Sequence, residues 1–132
     1  MKKIIVLLLI IASIVLVSCF AVFLKYNEVY DFCLEDYSEE QAMFSSYLEK
    51  YEYSFGEIRT AKEAKAVAQT VFDDIYRSSG YYLGTLKPYM VSYDETNQVW
   101  LVQGSTIFFI RGACVLIDQK QGTVLAVWNE KF

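Results

Sequence analysis

The side chains best placed for acid–base chemistry are four neighbouring carboxylate pairs, Glu35/Asp36, Glu39/Glu40, Asp73/Asp74 and Asp94/Glu95. A working dyad needs two carboxyl groups converging over one cleft. Sequence neighbours on a helix surface or turn point apart, so all four pairs are expected to be solvated. The chain has no histidine, which removes Ser–His and Cys–His nucleophile pairs and the commonest zinc ligand. Its six glycines are scattered, so no glycine-rich loop offers a phosphate cradle. No D-x-[DN]-x-[DN]-G calcium loop occurs, and Asp118, opening a loop that closes at Gly122, reads as a turn former. The sequence therefore nominates no catalytic, cofactor-binding or metal-ligating residue, and it reads as a non-enzyme.

Three cysteines remain. Cys33 and Cys114 are far apart in sequence. A disulfide between them is open where the compartment oxidises, but Cys114, inside an apolar strand, reads more simply as a small buried hydrophobe. Cys19 ends Leu16-Val17-Ser18-Cys19, which resembles a lipoprotein signal motif and makes Cys19 a lipidation candidate.

Cys19 sits in the strongest signal of the chain. Ile4 to Leu24 carries no charge; its 21 residues at about 1.5 Å each give roughly 30 Å, the thickness of a bilayer's hydrocarbon core. Lys2 and Lys3 precede it, while Glu28, Asp31, Glu35 and Asp36 follow. Positive residues before the span place the amino terminus in the cytoplasm and the domain outside it. A lipoprotein cut before Cys19 would leave the apolar Phe20-Ala21-Val22-Phe23-Leu24 unexplained. An uncleaved anchor accounts for them and is the preferred reading, with lipidation at Cys19 as its alternative.

Without the first 24 residues the balance is ten bases against sixteen acids, a net charge of −6. That average argues against nucleic acid and against anionic lipid as direct partners, and it suits a basic protein. Eight of the acids lie between Tyr26 and Phe55 with one base, Lys50, interleaved with nine aromatics. Ser38 and Gln41 read there as a capping box for a helix reaching about Tyr51, with Leu34, Tyr37, Phe44, Tyr47, Leu48 and Tyr51 on one face. The plain role is a spacer helix lying on the domain. The sharper one is an acidic, tyrosine-rich contact surface.

Thr60 and Glu63 form a second capping box, opening a helix to about Ser78. Ala61, Ala64, Ala68, Val71 and Ile75, broadened by Val67 and Phe72, make its apolar stripe, and Gly80 is suited to the turn after it. Strands follow at Tyr89–Tyr93 and Val99–Gln103, joined by a turn at 94–97. A long strand covers 106–110 and 113–117, with a bulge expected at Arg111-Gly112. A hairpin loop at 118–122 with positive φ at Gly122 leads to a last strand, Thr123–Trp128.

From about Ile58 onward the chain resembles a bacterial family of immunity proteins with a nuclear transport factor 2-like fold, found beside polymorphic toxin genes. The matching residues, in order, are Glu63-Ala64, Lys87-Pro88-Tyr89-Met90-Val91, Trp100-Leu101-Val102-Gln103-Gly104, Gly112, Ile117-Asp118 and Gly122-Thr123-Val124-Leu125. The chain departs from the pattern at Ala113, where the family has a second glycine, and at Trp128-Asn129-Glu130-Lys131, where it often has a His-Gly-Lys-like tail. The resemblance implies a protein that binds and blocks a cognate toxin without chemistry of its own.

The expected fold is α+β: an N-terminal membrane helix, then one helix packed on a curved antiparallel β-meander, a cystatin-like half-cone. The expected organisation is an anchor or lipoprotein signal over 1–25, an acidic tyrosine-rich helical segment over 26–56, and an immunity-type domain over 57–132. The expected partners are a cognate protein toxin, a basic one being suited by charge, and the membrane through the first helix, with no nucleic acid and no cofactor. The alternative function is a cell-envelope binding or sensing module whose pocket Tyr81, Tyr82, Tyr89 and Trp100 would line.

Overall fold

The computed structural model describes residues 1–45, 54–77, 85–105 and 111–130. Helix α1 spans Lys2–Asn27 and leads almost directly into strand β1, Val29–Asp31. A 3-10 turn at Leu34–Tyr37 runs into helix α2, Ser38–Ser45, and helix α3 covers Ala61–Tyr76. Four strands follow: β2 (Leu86–Asp94), β3 (Val99–Ser105), β4 (Arg111–Asp118) and β5 (Val124–Asn129).

Among the described residues α1 is the one helix long and apolar enough to cross a membrane, and none of its apolar window is buried against the rest of the protein. Its hydroxyls do not need water. Ser13 donates to the Leu9 carbonyl and Ser18 to that of Ile14, each at 2.8 Å. Such internal satisfaction is what a hydrocarbon environment demands.

The sheet has the order β1-β2-β3-β4-β5. The last four strands pair antiparallel, as the alternation predicts, but β1 pairs parallel with β2, Val29 opposite Val91 and Asp31 opposite Tyr93. The sheet is therefore mixed rather than a pure antiparallel meander. The segment after the anchor also supplies a strand where only helix was expected. Pro88 lies in β2 outside the stretch that β1 covers, so its missing N–H costs no ladder bond.

Helix α3 begins as its capping box requires. Glu63 N–H donates to Thr60 Oγ1 at 3.2 Å, and Thr60 N–H donates back to Glu63 Oε2 at 3.3 Å. Ala64, Val67, Ala68, Val71 and Phe72 are buried, with Ala61 and Ile75 half-buried beside them. The alanines allow close approach to the sheet, and Phe72 meets the edge of Tyr89 with ring centroids 5.8 Å apart. Full burial of side chains such as Val71 and Phe72 contributes roughly 1.5–3 kcal/mol each. On this face Tyr93 packs against Trp100 at 4.5 Å, and Trp100 Nε1 donates to the Ile58 carbonyl at 2.9 Å.

The other face is covered too. Strand β3 is buried along its whole length, because the 3-10 turn and α2 close the side opposite α3. Tyr37 lies 5.3 Å from Trp128, and Phe44 is buried against β5. Ser38 is not the N-cap the sequence suggested. It already has helical dihedrals, and its N–H donates to the Glu35 carbonyl. Gln41 reaches the Tyr37 carbonyl rather than closing a box. The 3-10 turn has taken over the start of the helix.

One backbone feature stands where it was expected, and a second lies one residue later. Between Gln103–Cys114 and Ser105–Arg111 two steps of β3 match three of β4, which puts the bulge at Gly112-Ala113. Gly122 has φ +64, and a Cβ there would collide with the Gly56 carbonyl oxygen. That closeness is structural: Phe55, Gly56 and Ile58 donate to the carbonyls of Gly122, Gln121 and Gln119 at 3.1, 3.1 and 2.8 Å. Expectations for Tyr47, Leu48, Tyr51, Gly80, Tyr81, Tyr82 and 106–110 fall outside the described residues.

Candidate functional site

Helix α2 lies along β5 without closing on it, leaving a cavity of about 410 Å³ lined by Glu40, Met43, Phe44, Val127, Trp128, Asn129 and Glu130. Its floor is apolar and aromatic, and Met43 at its lip is 68 % exposed. Glu40 and Glu130 stand on opposite banks. Glu35, Asp36 and Glu39 continue the negative charge along the 3-10 turn and the first turn of α2.

Asp94 positions this wall. The sequence placed it on a solvated turn with Glu95, but it is only 5 % exposed. Its carboxylate accepts from Leu34 N–H at 2.9 Å, Asn97 N–H at 3.0 Å and Asn97 Nδ2 at 2.8 Å. Those bonds, led by the Asn97 side chain, hold its pKa below the usual carboxylate value. The contact with Leu34 ties the 3-10 turn to the β2–β3 hairpin. Asn97 also donates to Glu35 Oε1 at 3.2 Å. Glu35 accepts from the Cys33 thiol at 2.7 Å, and this bond lowers the Glu35 pKa and raises that of Cys33. The correction at Asp94 has a simple cause: an Asp opening a turn can cap its own backbone and still have oxygen lone pairs for a distant donor.

Of the other carboxylate pairs, Glu35 meets Asp94 at Asn97 Nδ2, which donates to both. Among the described residues no group of three His, Cys, Asp or Glu side chains gathers where it could hold a metal. None of Cys19, Cys33 and Cys114 is in a disulfide; Cys33 is exposed and Cys114 buried, so the disulfide reading gives way to the buried-hydrophobe one. Gln103 Nε2 lies 3.7 Å from Cys114 Sγ in the sheet interior. Cys19, the lipidation candidate, lies within α1, which stays helical beyond it to Asn27.

Of the aromatics proposed to line a pocket, Trp100 belongs to the core at 6 % exposed. Tyr89 is also buried but borders a second cavity, of about 420 Å³, whose other walls are Lys62, Lys65, Ala66, Gln69, Lys87 and Pro88. Nothing in the sequence pointed to this grouping, because Lys62 and Lys65 meet Lys87 only through the packing of α3 on β2. No family model matches the chain, and no curated protein or solved structure matches it either.

Proposed function

We propose that this chain is a membrane-tethered immunity protein that binds and neutralises a cognate bacterial toxin without catalysis, from the extracytoplasmic side of the bilayer. The observation that carries this reading is the α2–β5 groove: an aromatic floor between Glu40 and Glu130, with Met43 exposed at its edge. Its negative wall steers a basic partner, and its apolar floor retains it. The ordered motifs from Glu63-Ala64 to Leu125 support the family reading, and α3 packed on the β2–β5 sheet suits a cystatin-like half-cone. The apolar Phe20-Ala21-Val22-Phe23-Leu24 after Cys19 favours an uncleaved anchor over lipidation at that residue. The mature chain's mass and its sensitivity to globomycin distinguish the two.

The direct test is co-expression with the products of adjacent genes. Cells making the toxic product grow when wild-type protein is present and lose that protection with Glu40→Lys/Met43→Lys, a variant that accumulates normally because both sites lie at the rim. Failure of the wild type to rescue growth from any adjacent product refutes the proposal.

A further inference from the structure

The parallel pairing of β1 with β2 fixes which end of the domain meets the bilayer. Val29 lies opposite Val91, so the residues of β2 before Val91 point back toward the anchor, and α1 lies against β2 there. Val29 follows Leu24 by three helical residues and the bend at Glu28, and β2 returns from Val91 to Lys87 over four residues, through the irregular pairing between Leu86 and Met90. Lys87 therefore lies at the end of β2 nearer the anchor.

Three of the chain's nine lysines meet at that end. Lys62 and Lys65, on the first turns of α3, face Lys87 across the 420 Å³ cavity, with Gln69 and Tyr89 between them. Neither Lys62 nor Lys87 has an ion-pair partner among the described residues. The nearest carboxylate in sequence, Glu63, is already occupied by the backbone N–H groups of Arg59 and Thr60. Lys65 is half-buried, and loss of solvent pushes its ammonium pKa down. Asp94 and the acidic 3-10 turn lie at the opposite end of β2, seven residues or about 23 Å away. That exceeds two screening lengths of about 8–10 Å, so those acids do not cancel the cluster; Glu28, in the bend before β1, is an acid that shares its end.

We propose that the cavity between Lys62, Lys65 and Lys87 holds the phosphate of an anionic lipid headgroup in the leaflet from which α1 emerges, seating the domain on the membrane. The proposal rests on the tether in the functional reading above, not on the toxin. It reverses, for this end of the molecule, the expectation drawn from average charge. A lysine ammonium is a compact donor suited to a phosphate oxygen, and the aliphatic stems of all three can lie along the lipid interface.

Hydrogen exchange on the full chain in nanodiscs tests it, comparing phosphatidylcholine alone with an equal mixture containing phosphatidylglycerol. Amides of 62–69 and 86–90 are expected to exchange about fivefold more slowly in the anionic discs, since a ligand bound only to the native state suppresses opening. High salt and the exposed-site variant Lys62→Gln/Lys87→Gln are each expected to abolish the difference. Equal exchange in both discs overturns the proposal, as does undiminished protection in the variant. Equal protection by inorganic phosphate in neutral discs assigns a free anion instead and also overturns it. Alkaline carbonate extraction of cells separates the two levels of failure. Release of a chain lacking residues 1–24 removes the tether and the proposal with it, whereas a retained chain without lipid-dependent protection removes this proposal alone.

Discussion

Replacing Asp94 is the most informative single perturbation of the domain. Its buried carboxylate accepts three hydrogen bonds, two from Asn97 and one from Leu34. A hydrogen bond to a charged group contributes about 1.5–3 kcal/mol, but Leu34 and Asn97 are only partly buried and can recover water, so Asp94→Ala is expected to cost about 2–4 kcal/mol in total. Asp94→Asn keeps an acceptor but loses the charge and misplaces an amide, for about 1–2 kcal/mol. Denaturant unfolding of the full chain in detergent, followed by Trp100 and Trp128 fluorescence, measures both. The pH dependence gives a second readout. The pKa of Asp94 is lowered in the fold, so its contribution is present above the unfolded value of about 3.9 and is lost as pH falls through the folded one. The gap between wild type and Asp94→Asn should be constant above about pH 5 and narrow below about pH 4. Wild-type stability in Asp94→Ala, or a gap unchanged down to pH 3, would refute the account of this residue.

Further substitutions probe the frame around it. Gly122→Ala combines φ +64 with a clash against the Gly56 carbonyl, and a loss above about 2 kcal/mol is expected in the same unfolding assay. Gln98 has φ +55 without being glycine; Gln98→Gly should raise stability by a few tenths to about 1 kcal/mol, and a lower melting temperature would contradict this. Trp100→Phe leaves the Ile58 carbonyl without its 2.9 Å donor, at a cost of about 1–3 kcal/mol by calorimetry.

What the sequence revealed follows the range of the interactions involved. Helix α3 was legible because its cap and stripe are local: Thr60 and Glu63 are three residues apart, and the buried face repeats every three or four. The hairpin loop at Asp118–Gly122 and the bulge near Gly112 carried their own glycine signatures. Strand β1 was not legible, since three residues gain strand structure only from Val91–Tyr93, far along the chain. The 3-10 turn displaced the cap expected at Ser38, and Asp94 went inward because Leu34 offered a donor that no local pattern encodes. Both cavities are likewise tertiary. Glu40 meets Trp128, and Lys62 meets Lys87, only after the two faces of the sheet are covered. Composition averaged over the domain concealed the positive end and the negative end alike.

Binding of the full chain, held in nanodiscs, to the purified product of the adjacent toxin gene tests the central claim most directly. Saturable one-to-one binding is expected, weakened at least about tenfold by Glu40→Lys/Met43→Lys, the 1.4 kcal/mol that loss of a rim contact and a charge reversal should reach. Absence of binding, or equal affinity of the variant, contradicts it.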